Sequence, residues 1–260
     1  MSLTVLGAEF RRVFRLARSY WLEYVSDLAL YTVGFLLLMV VFQAASDGFG
    51  PEEYLSTLIG FVTWKICAST MGDIAEVTVE ESRTGTLEQM FLTGLRPGLV
   101  LLGRSAGILL SHTTRGLLLG AVLAAFLGIL RPVPPLAVVV FILTVAGACG
   151  LGFGLAGLTL VYKRLDGLIH LIWQMLVFFT GALAPLTYPV LAVVARALPL
   201  SWGIAGLRAI MIDGATAASL WQSGNLPGVL LNTAFYVALG VALFAWGQKR
   251  ARILGVLAHY

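Results

Sequence analysis

The chain has 260 residues, of which 59% are hydrophobic and 12% are charged, and its formal net charge is +4. Because soluble domains carry about 25% charged residues, this composition excludes an ordinary soluble domain and indicates an integral membrane protein. The basic residues flank apolar runs, which excludes a nucleic-acid-binding patch.

The first predicted element is an amphipathic helix, residues 1–27, that lies in the plane of the membrane interface. Apolar residues recur every three or four positions between Leu6 and Tyr24, and arginines occupy another face. The predicted interfacial anchors are Arg11, Arg15, Arg18 and Trp21. A soluble N-terminal helix is the alternative interpretation. Because the first strongly apolar run begins near Leu28, no cleavable signal peptide is expected.

Six apolar segments are predicted to cross the membrane, since about 20 apolar residues span its core. They are residues 28–45, 54–72, 102–130, 136–162, 168–186 and 226–246. The second is expected to continue as a helix through Asp73 and Glu76. In the fourth, Gly150 and Gly154 form a GxxxG pair that permits close approach of another helix. Prolines and charges interrupt residues 187–222, which are predicted to form one or two short helices that re-enter or line the outer interface.

The expected architecture is a single all-α transmembrane domain over residues 1–260, with a six-helix bundle at 28–246 and a cytoplasmic tail at 247–260. Lys and Arg concentrate in cytoplasmic loops, so their distribution predicts the orientation. One set of loops carries Arg11, Arg12, Arg15, Arg18, Arg83, Arg96, Arg104, Lys163, Arg164, Lys249, Arg250 and Arg252. The opposite set carries Arg131, Arg196 and Arg208. Both termini are therefore predicted to be cytoplasmic.

Residues 79–97 form a polar segment on the cytoplasmic side, between the second and third predicted spans. Within it, Leu87, Met90 and Phe91 recur on one face of a short helix predicted at residues 86–93. This helix is too short to cross a bilayer, and its position is suited to docking another protein. A passive channel or a membrane scaffold that recruits a cytoplasmic partner through residues 79–97 is also compatible with this pattern.

The sequence lacks the motifs of several membrane enzymes. No lysine follows a glycine, so there is no P-loop to hold the phosphates of ATP. Its three histidines are too scattered for a paired-histidine metal site. The two cysteines, Cys67 and Cys149, lie in apolar runs and offer no metal or disulfide framework. The chain is therefore predicted not to be an enzyme and to bind no metal or cofactor itself.

Three basic or potentially basic side chains within the predicted spans are candidates for a substrate pathway. Lys65 lies in the second span, and His112 and Arg115 lie near the middle of the third. A charge in the membrane is costly unless it faces protein or water. No acidic residue is expected at a matching depth, so these side chains would attract an anionic head group or an acidic solute. Snorkelling or hydrogen bonding between helices is the alternative role.

The polar segment contains the string Gly85, Thr86, Leu87, Glu88, Gln89, Met90, Phe91, Leu92. Together with the acid at Glu81, it resembles the motif at the second cytoplasmic turn of ABC-2 type transporter permeases. In that motif an acid precedes Gly-Thr-Leu-Glu-Gln-Leu, Thr-Pro follows, and Gly-Lys comes later; Gly103-Arg104 is similar to this Gly-Lys. The chain departs from the motif at Gly94, where the family has proline, and around Leu99, where apolar sequence replaces an acid.

The resemblance covers nearly the whole chain and implies a half-transporter. It would pair with an identical or related permease chain and with two copies of a separate ATP-binding subunit that holds ATP and Mg. In family terms, the helix at residues 86–93 is a coupling helix that docks in a groove of the ATPase, with residues 85–92 as the coupling residues. Pro185, Tyr188 and Pro189 belong to an outer hairpin that forms a gate. The implied function is export of a hydrophobic or amphipathic solute, such as a drug, a lipid or a lipid-linked glycan, across a bacterial cytoplasmic membrane.

Overall fold

A computed structural model of the protein describes residues 21–45, 50–83, 97–162, 165–184 and 189–253. These residues form nine α-helices and no strand, as predicted for the all-α class. The helices are α1 (Trp21–Ala45), α2 (Pro51–Arg83), α3 (Pro97–Phe126), α4 (Pro135–Thr159), α5 (Asp166–Phe179), α6 (Pro189–Ala197), α7 (Ser201–Met211), α8 (Ala217–Gln222) and α9 (Asn225–Ile253). Four of them begin with proline, whose missing N–H costs no hydrogen bond at the first helical position.

Four helices are long and apolar enough to cross a membrane. Their qualifying segments are Tyr24–Ala44, Gly103–Phe126, Pro135–Thr159 and Asn225–Ala251. The axes of α6 and α7 are bent by 104° relative to each other, and the two helices would supply a fifth membrane-spanning segment if they form one broken span. α5 has 14 residues, or about 21 Å of helix against a hydrocarbon core of about 30 Å. The protein is thus an integral membrane protein with four or five spanning candidates in the described ranges, fewer than the six predicted.

α2 is the central helix of the bundle and packs against α3, α4, α5 and α7. Its buried polar side chains are Thr57, Thr63, Lys65, Ser69, Thr70 and Thr78. A helix surrounded by protein can carry such residues, because neighbouring helices and its own carbonyls satisfy them. For example, the Thr70 hydroxyl donates to the Ile66 carbonyl at 2.7 Å. α2 continues without a break to Arg83, which confirms the helical continuation predicted through Asp73 and Glu76.

α4 and α9 pack against each other along a line of glycines, called here the glycine seam (Gly150 and Gly157 on α4, Gly240 and Gly247 on α9). A β-carbon added at Gly150 would lie 2.5 Å from the carbonyl oxygen of Tyr236. Gly240 and Gly247 in turn lie against the carbonyl oxygens of Gly150 and Gly157. The two backbones touch because no side chain separates them. This contact confirms the close approach predicted from the GxxxG pair.

Two predicted spans end earlier than expected. α5 ends at Phe179, whereas the fifth span was predicted to reach residue 186. Two residues later, Gly181 has φ of +72°, a left-handed conformation that commonly ends helices. α3 ends at Phe126 rather than at residue 130, and Gly128 has φ of +69°. Both helices were predicted to continue past these glycines because the surrounding sequence is apolar.

Two other predicted boundaries fall inside continuous helices. α1 runs from Trp21 to Ala45 with no break at residues 27–28, where the interfacial segment was expected to meet the first span. α9 continues to Ile253, so the segment expected to be a tail from residue 247 begins as helix. Only 11% of the apolar segment of α1 is buried, against 44% for α4, which places α1 at the edge of the bundle.

The region before α9 contains three short helices, α6, α7 and α8, rather than the one or two predicted. Leu200, with φ of +80°, separates α6 from α7, and Gly214, with φ of +65°, separates α7 from α8. Thr216 caps α8, because its hydroxyl accepts from the Ser219 N–H and the Ser219 hydroxyl accepts from the Thr216 N–H. α7 packs against α2, α4 and α9, so this region is tied to the centre of the bundle.

Candidate functional site

Lys65 lies in the middle of the buried face of α2 and pairs with an acid on α1. Its Nζ is 2.7 Å from Oδ2 of Asp27, and the side chain of Lys65 is 4% exposed. The same Nζ lies 4.4 Å from the ring centroid of Tyr31, one turn further along α1. The ammonium is therefore satisfied by an ion pair and a cation–π contact, both to α1.

Arg115 on α3 also faces α1. Its Nη2 donates to the Ser111 hydroxyl at 3.0 Å, and its Cζ lies 4.3 Å from the ring centroid of Tyr24. Tyr24 completes the group through a 3.3 Å hydrogen bond between its hydroxyl and that of Ser111. The Nε of Arg115 is buried and has no hydrogen-bond partner in the described part of the chain. Within the described residues, Arg115 thus has one unpaired N–H donor.

Lys65 and Arg115 line the same cavity, called here the basic cavity. Its volume is about 100 Å³, room for about three waters or for one small anionic group. Its lining residues are Tyr24, Val25, Asp27, Leu28, Tyr31, Lys65, Arg115, Leu118 and Leu119. Asp27 compensates the charge of Lys65, whereas none of the other described lining residues is an acid that could compensate Arg115. The described lining therefore carries a net positive charge, which would attract a carboxylate or a phosphate.

His112 was predicted to belong to the same pathway, but it points to a different neighbour. Its Nε2 lies 2.7 Å from Oδ2 of Asp73 on α2. His112 is buried, and its Nδ1 has no hydrogen-bond partner among the described residues. It does not line the basic cavity. The structure therefore brings two of the three predicted pathway residues together and places the third in a separate contact between α2 and α3.

The sequence profile of a family described as "ABC-2 family transporter protein" matches residues 42–247, most of the chain. The chain belongs to this family. The ABC-2 permease predicted from the polar segment is thus confirmed at the level of the family, and the match also covers the helices that carry Lys65, His112 and Arg115. No curated protein matches the sequence at a significant level.

ABC-2 permeases are membrane-spanning components of ABC transporters and are not themselves catalytic. Family membership also implies that the chain works with an ABC ATP-binding subunit. These statements agree with the missing P-loop motif. Among the residues that the structure describes, no group of three His, Cys, Asp or Glu side chains could hold a metal ion.

The expectation that no acid lies at the depth of the basic residues of this permease is wrong. Asp27 and Asp73 each lie 2.7 Å from a basic partner. Both acids lie just outside the predicted spans, Asp27 before the first and Asp73 after the second. Lys65 reaches its acid through a long flexible side chain, whereas His112 contacts an acid on the helix packed directly against its own. The alternative role of helix-to-helix hydrogen bonding therefore holds for Lys65 and His112, and contact with substrate stays a prediction.

Several predicted site residues of the permease lie outside the described ranges. These are the coupling residues Gly85, Thr86, Leu87, Glu88, Gln89, Met90, Phe91 and Leu92, the anchors Arg11, Arg15 and Arg18, and the gate residues Pro185 and Tyr188. Trp21 is described at the start of α1 and is 62% exposed, and its role as an interfacial anchor stays a prediction. Pro189 is the first residue of α6.

Arg208 on α7 is a structural residue that sequence reasoning missed. Its guanidinium donates to three backbone carbonyls, those of Ser56 at 3.0 Å, Gly181 at 2.7 Å and Ala182 at 3.0 Å. It joins α7 to the first turns of α2 and to the turn that follows α5. Gly60 leaves the space for this contact, because a β-carbon there would collide with the Ala182 carbonyl. Its sequence signal is a single charged residue within the otherwise uncharged helix α7.

Proposed function

We propose that the chain is the membrane half of an ATP-driven exporter, with six spans and both termini on the cytoplasmic side of a bacterial cytoplasmic membrane. α2 and α5 supply the two spans beyond α1, α3, α4 and α9, and α6 and α7 form a re-entrant hairpin at the outer side. The central position of α2 supports its assignment as a span, because its polar residues face protein. The Lys and Arg distribution supports the orientation.

The exporter contains two permease chains, identical or related, and two copies of the ATP-binding subunit. The transport path lies between the two permeases, along α1, α2 and α5. The position of α1 supports this arrangement, because it lies at the edge of the bundle and borders the basic cavity. The outer hairpin that contains Pro185, Tyr188 and Pro189 closes the path on the outer side.

The substrate is a hydrophobic or amphipathic solute, such as a drug, a lipid or a lipid-linked glycan, with an anionic group. The net positive charge of the basic cavity supports this choice of charge. Arg115 is the main recognition residue, since its charge has no acidic partner among the described lining residues and its Nε donor is unpaired within the same part of the chain. Lys65 contributes less, because Asp27 already pairs with it.

Residues 86–93 couple the permease to ATP hydrolysis. Leu87, Met90 and Phe91 bury apolar area in a groove of the ATP-binding subunit, and Glu88 makes a charge-assisted contact at its rim. At about 25 cal/mol per Å², three such side chains give several kcal/mol of gross contact energy. That is enough to transmit the closure of the ATPase dimer as a rigid-body motion. Family membership carries this proposal.

Co-purification with the ATP-binding subunit tests the proposal. The double variant Glu88→Lys/Phe91→Ala should lose the ATPase and with it ATP-dependent transport. Lys249→Glu is a matched control, because it changes a charge on an exposed residue of α9 that has no proposed role in docking. Retention of the ATPase and of transport in the double variant would exclude the coupling helix. A channel or scaffold would instead conduct or recruit its partner without ATP hydrolysis.

A further inference from the structure

A second cavity, called here the apolar groove, lies between α2, α3, α4 and α7, apart from the basic cavity. Its volume is about 470 Å³, within the range of about 300–1,000 Å³ that is usual for ligand sites. The described residues of its lining are apolar, apart from Thr63 and Arg131. Nothing in the proposed transport path uses it.

Small residues on α3 leave this space open. Gly120, Ala121 and Ala124 line the groove. Val62 of α2 packs closely against Gly120, since a β-carbon added at Gly120 would lie 3.3 Å from it. Larger side chains at Ala121 and Ala124 would fill the volume beyond this contact. The small residues on one face of α3 therefore produce the groove, and no conformational change is needed to form it.

The groove opens toward the surface of the bundle that faces lipid. Three of its lining residues, Leu117, Leu130 and Val133, are 54%, 68% and 62% exposed. Leu117 lies on α3, and Leu130 and Val133 lie in the link between α3 and α4. In a bilayer, the neighbours of such exposed apolar side chains are acyl chains, which are therefore the apolar groups available to an open groove at this surface.

Among the described residues that line the groove, Arg131 alone is charged. It lies in the link between α3 and α4, at the end of the groove near the membrane surface. Its one hydrogen bond within the described part of the chain is to the Met211 carbonyl, at a long 3.4 Å. The guanidinium is exposed and has no acidic partner there, so it can bind a phosphate with two N–H groups.

We propose that the apolar groove binds one anionic phospholipid of the surrounding bilayer, with an acyl chain in the groove and the phosphate at Arg131. The lipid belongs to the leaflet on the side of the α3–α4 link. It is a resident ligand and not the transported substrate. The proposal depends on the chain being an integral membrane protein and is independent of the transport cycle.

Native mass spectrometry of the purified full chain, released from bilayers of equal phosphatidylglycerol and phosphatidylcholine, tests this proposal. The wild-type chain should retain one lipid and prefer phosphatidylglycerol about fivefold, the preference that one interfacial arginine gives an anionic lipid. Arg131→Gln should still retain one lipid but without this preference. Ala121→Phe, which fills the groove with apolar atoms, should retain neither lipid.

Ala125→Phe is the matched control, since Ala125 is exposed on the same helix but does not line the groove. It should behave like the wild-type chain. Retention of lipid by Ala121→Phe at the wild-type level would overturn the proposal, and so would a lipid preference that Arg131→Gln leaves unchanged. A change of oligomeric state in Ala121→Phe with unchanged lipid retention would show that the groove is a protein interface. Loss of the retained lipid on adding the ATP-binding subunit and ATP would show a transported lipid and would also overturn it.

Discussion

The glycine seam and the basic cavity hold neighbouring helices together in opposite ways. At the seam, α4 and α9 touch through backbone atoms, and no side chain stands between Gly150 and Gly240. Around the cavity, α1 is held by an ion pair and two aromatic contacts to cations, from Lys65 and Arg115. Backbone contact permits one arrangement, whereas long polar side chains can follow a helix that moves. The seam is therefore suited to be the rigid part of the bundle, and α1 is suited to move.

The largest expected effect comes from placing a side chain in the seam. Gly150→Leu would force a β-carbon to within 2.5 Å of the Tyr236 carbonyl oxygen, and should cost about 3 kcal/mol of unfolding free energy or more. Thermal unfolding of the purified chain, followed by tryptophan fluorescence, measures it. Gly34→Leu on α1 is the control, since a β-carbon there meets no atom within 4 Å. Equal losses in both variants would contradict the contrast between the two regions.

An intermediate effect is expected from breaking the ion pair of the cavity. Lys65→Met leaves the charge of Asp27 uncompensated, because it removes one member of a buried ion pair. This change should lower the unfolding free energy by about 3 kcal/mol at most. The double variant Asp27→Asn/Lys65→Met should have an unfolding free energy within about 1 kcal/mol of that of the wild-type chain. The same unfolding measurement applies. A double variant as unstable as Lys65→Met would show that the pair does not explain the stability of this region.

The smallest effect is expected at His112. Its partner Asp73 has a side chain that is 41% exposed, against 29% for Asp27, so Asp73 is less dependent on one contact. His112→Gln, which keeps a hydrogen-bond donor, should cost about 1 kcal/mol or less. The test is to compare the thermal unfolding midpoint of His112→Gln with that of Lys65→Met. A loss at His112 larger than that at Lys65 would reverse the order of the two polar contacts.

The helices and the glycine seam were predictable because they depend on local pattern. Apolar runs predicted the central parts of α1, α3, α4 and α9, and the GxxxG pair in α4 predicted the contact that Gly150 makes. The ends of α3 and α5 were predicted too far along the chain, since a single glycine with positive φ ends each helix inside apolar sequence. Such a conformation is decided by tertiary contacts, as the bonds from Arg208 to the carbonyls of Gly181 and Ala182 illustrate.

The site was only partly predictable because its partners are distant in sequence. Lys65 and Arg115 were recognised as unusual in a membrane span, and they do line one cavity. Their neighbours Asp27 and Tyr24 belong to a different helix, and no spacing rule relates residues 38 or 91 positions apart. Asp27 was not expected as a partner of Lys65, because the depth of each residue was judged from its own span. A lysine side chain reaches several ångströms along the membrane normal, so it can contact an acid at another depth.

Substrate-stimulated ATP hydrolysis by the permease with its ATP-binding subunit tests the central claim most directly. An anionic amphiphile and a neutral one of equal chain length should both be assayed with wild-type chain, Arg115→Gln and Arg115→Lys. Arg115→Gln should lower stimulation by the anionic compound about tenfold, the value of one charge-assisted hydrogen bond, and leave the neutral compound unaffected. Arg115→Lys should retain most of the stimulation because it keeps the charge. Equal stimulation of wild-type and Arg115→Gln by the anionic compound would contradict the claim that the basic cavity recognises the substrate.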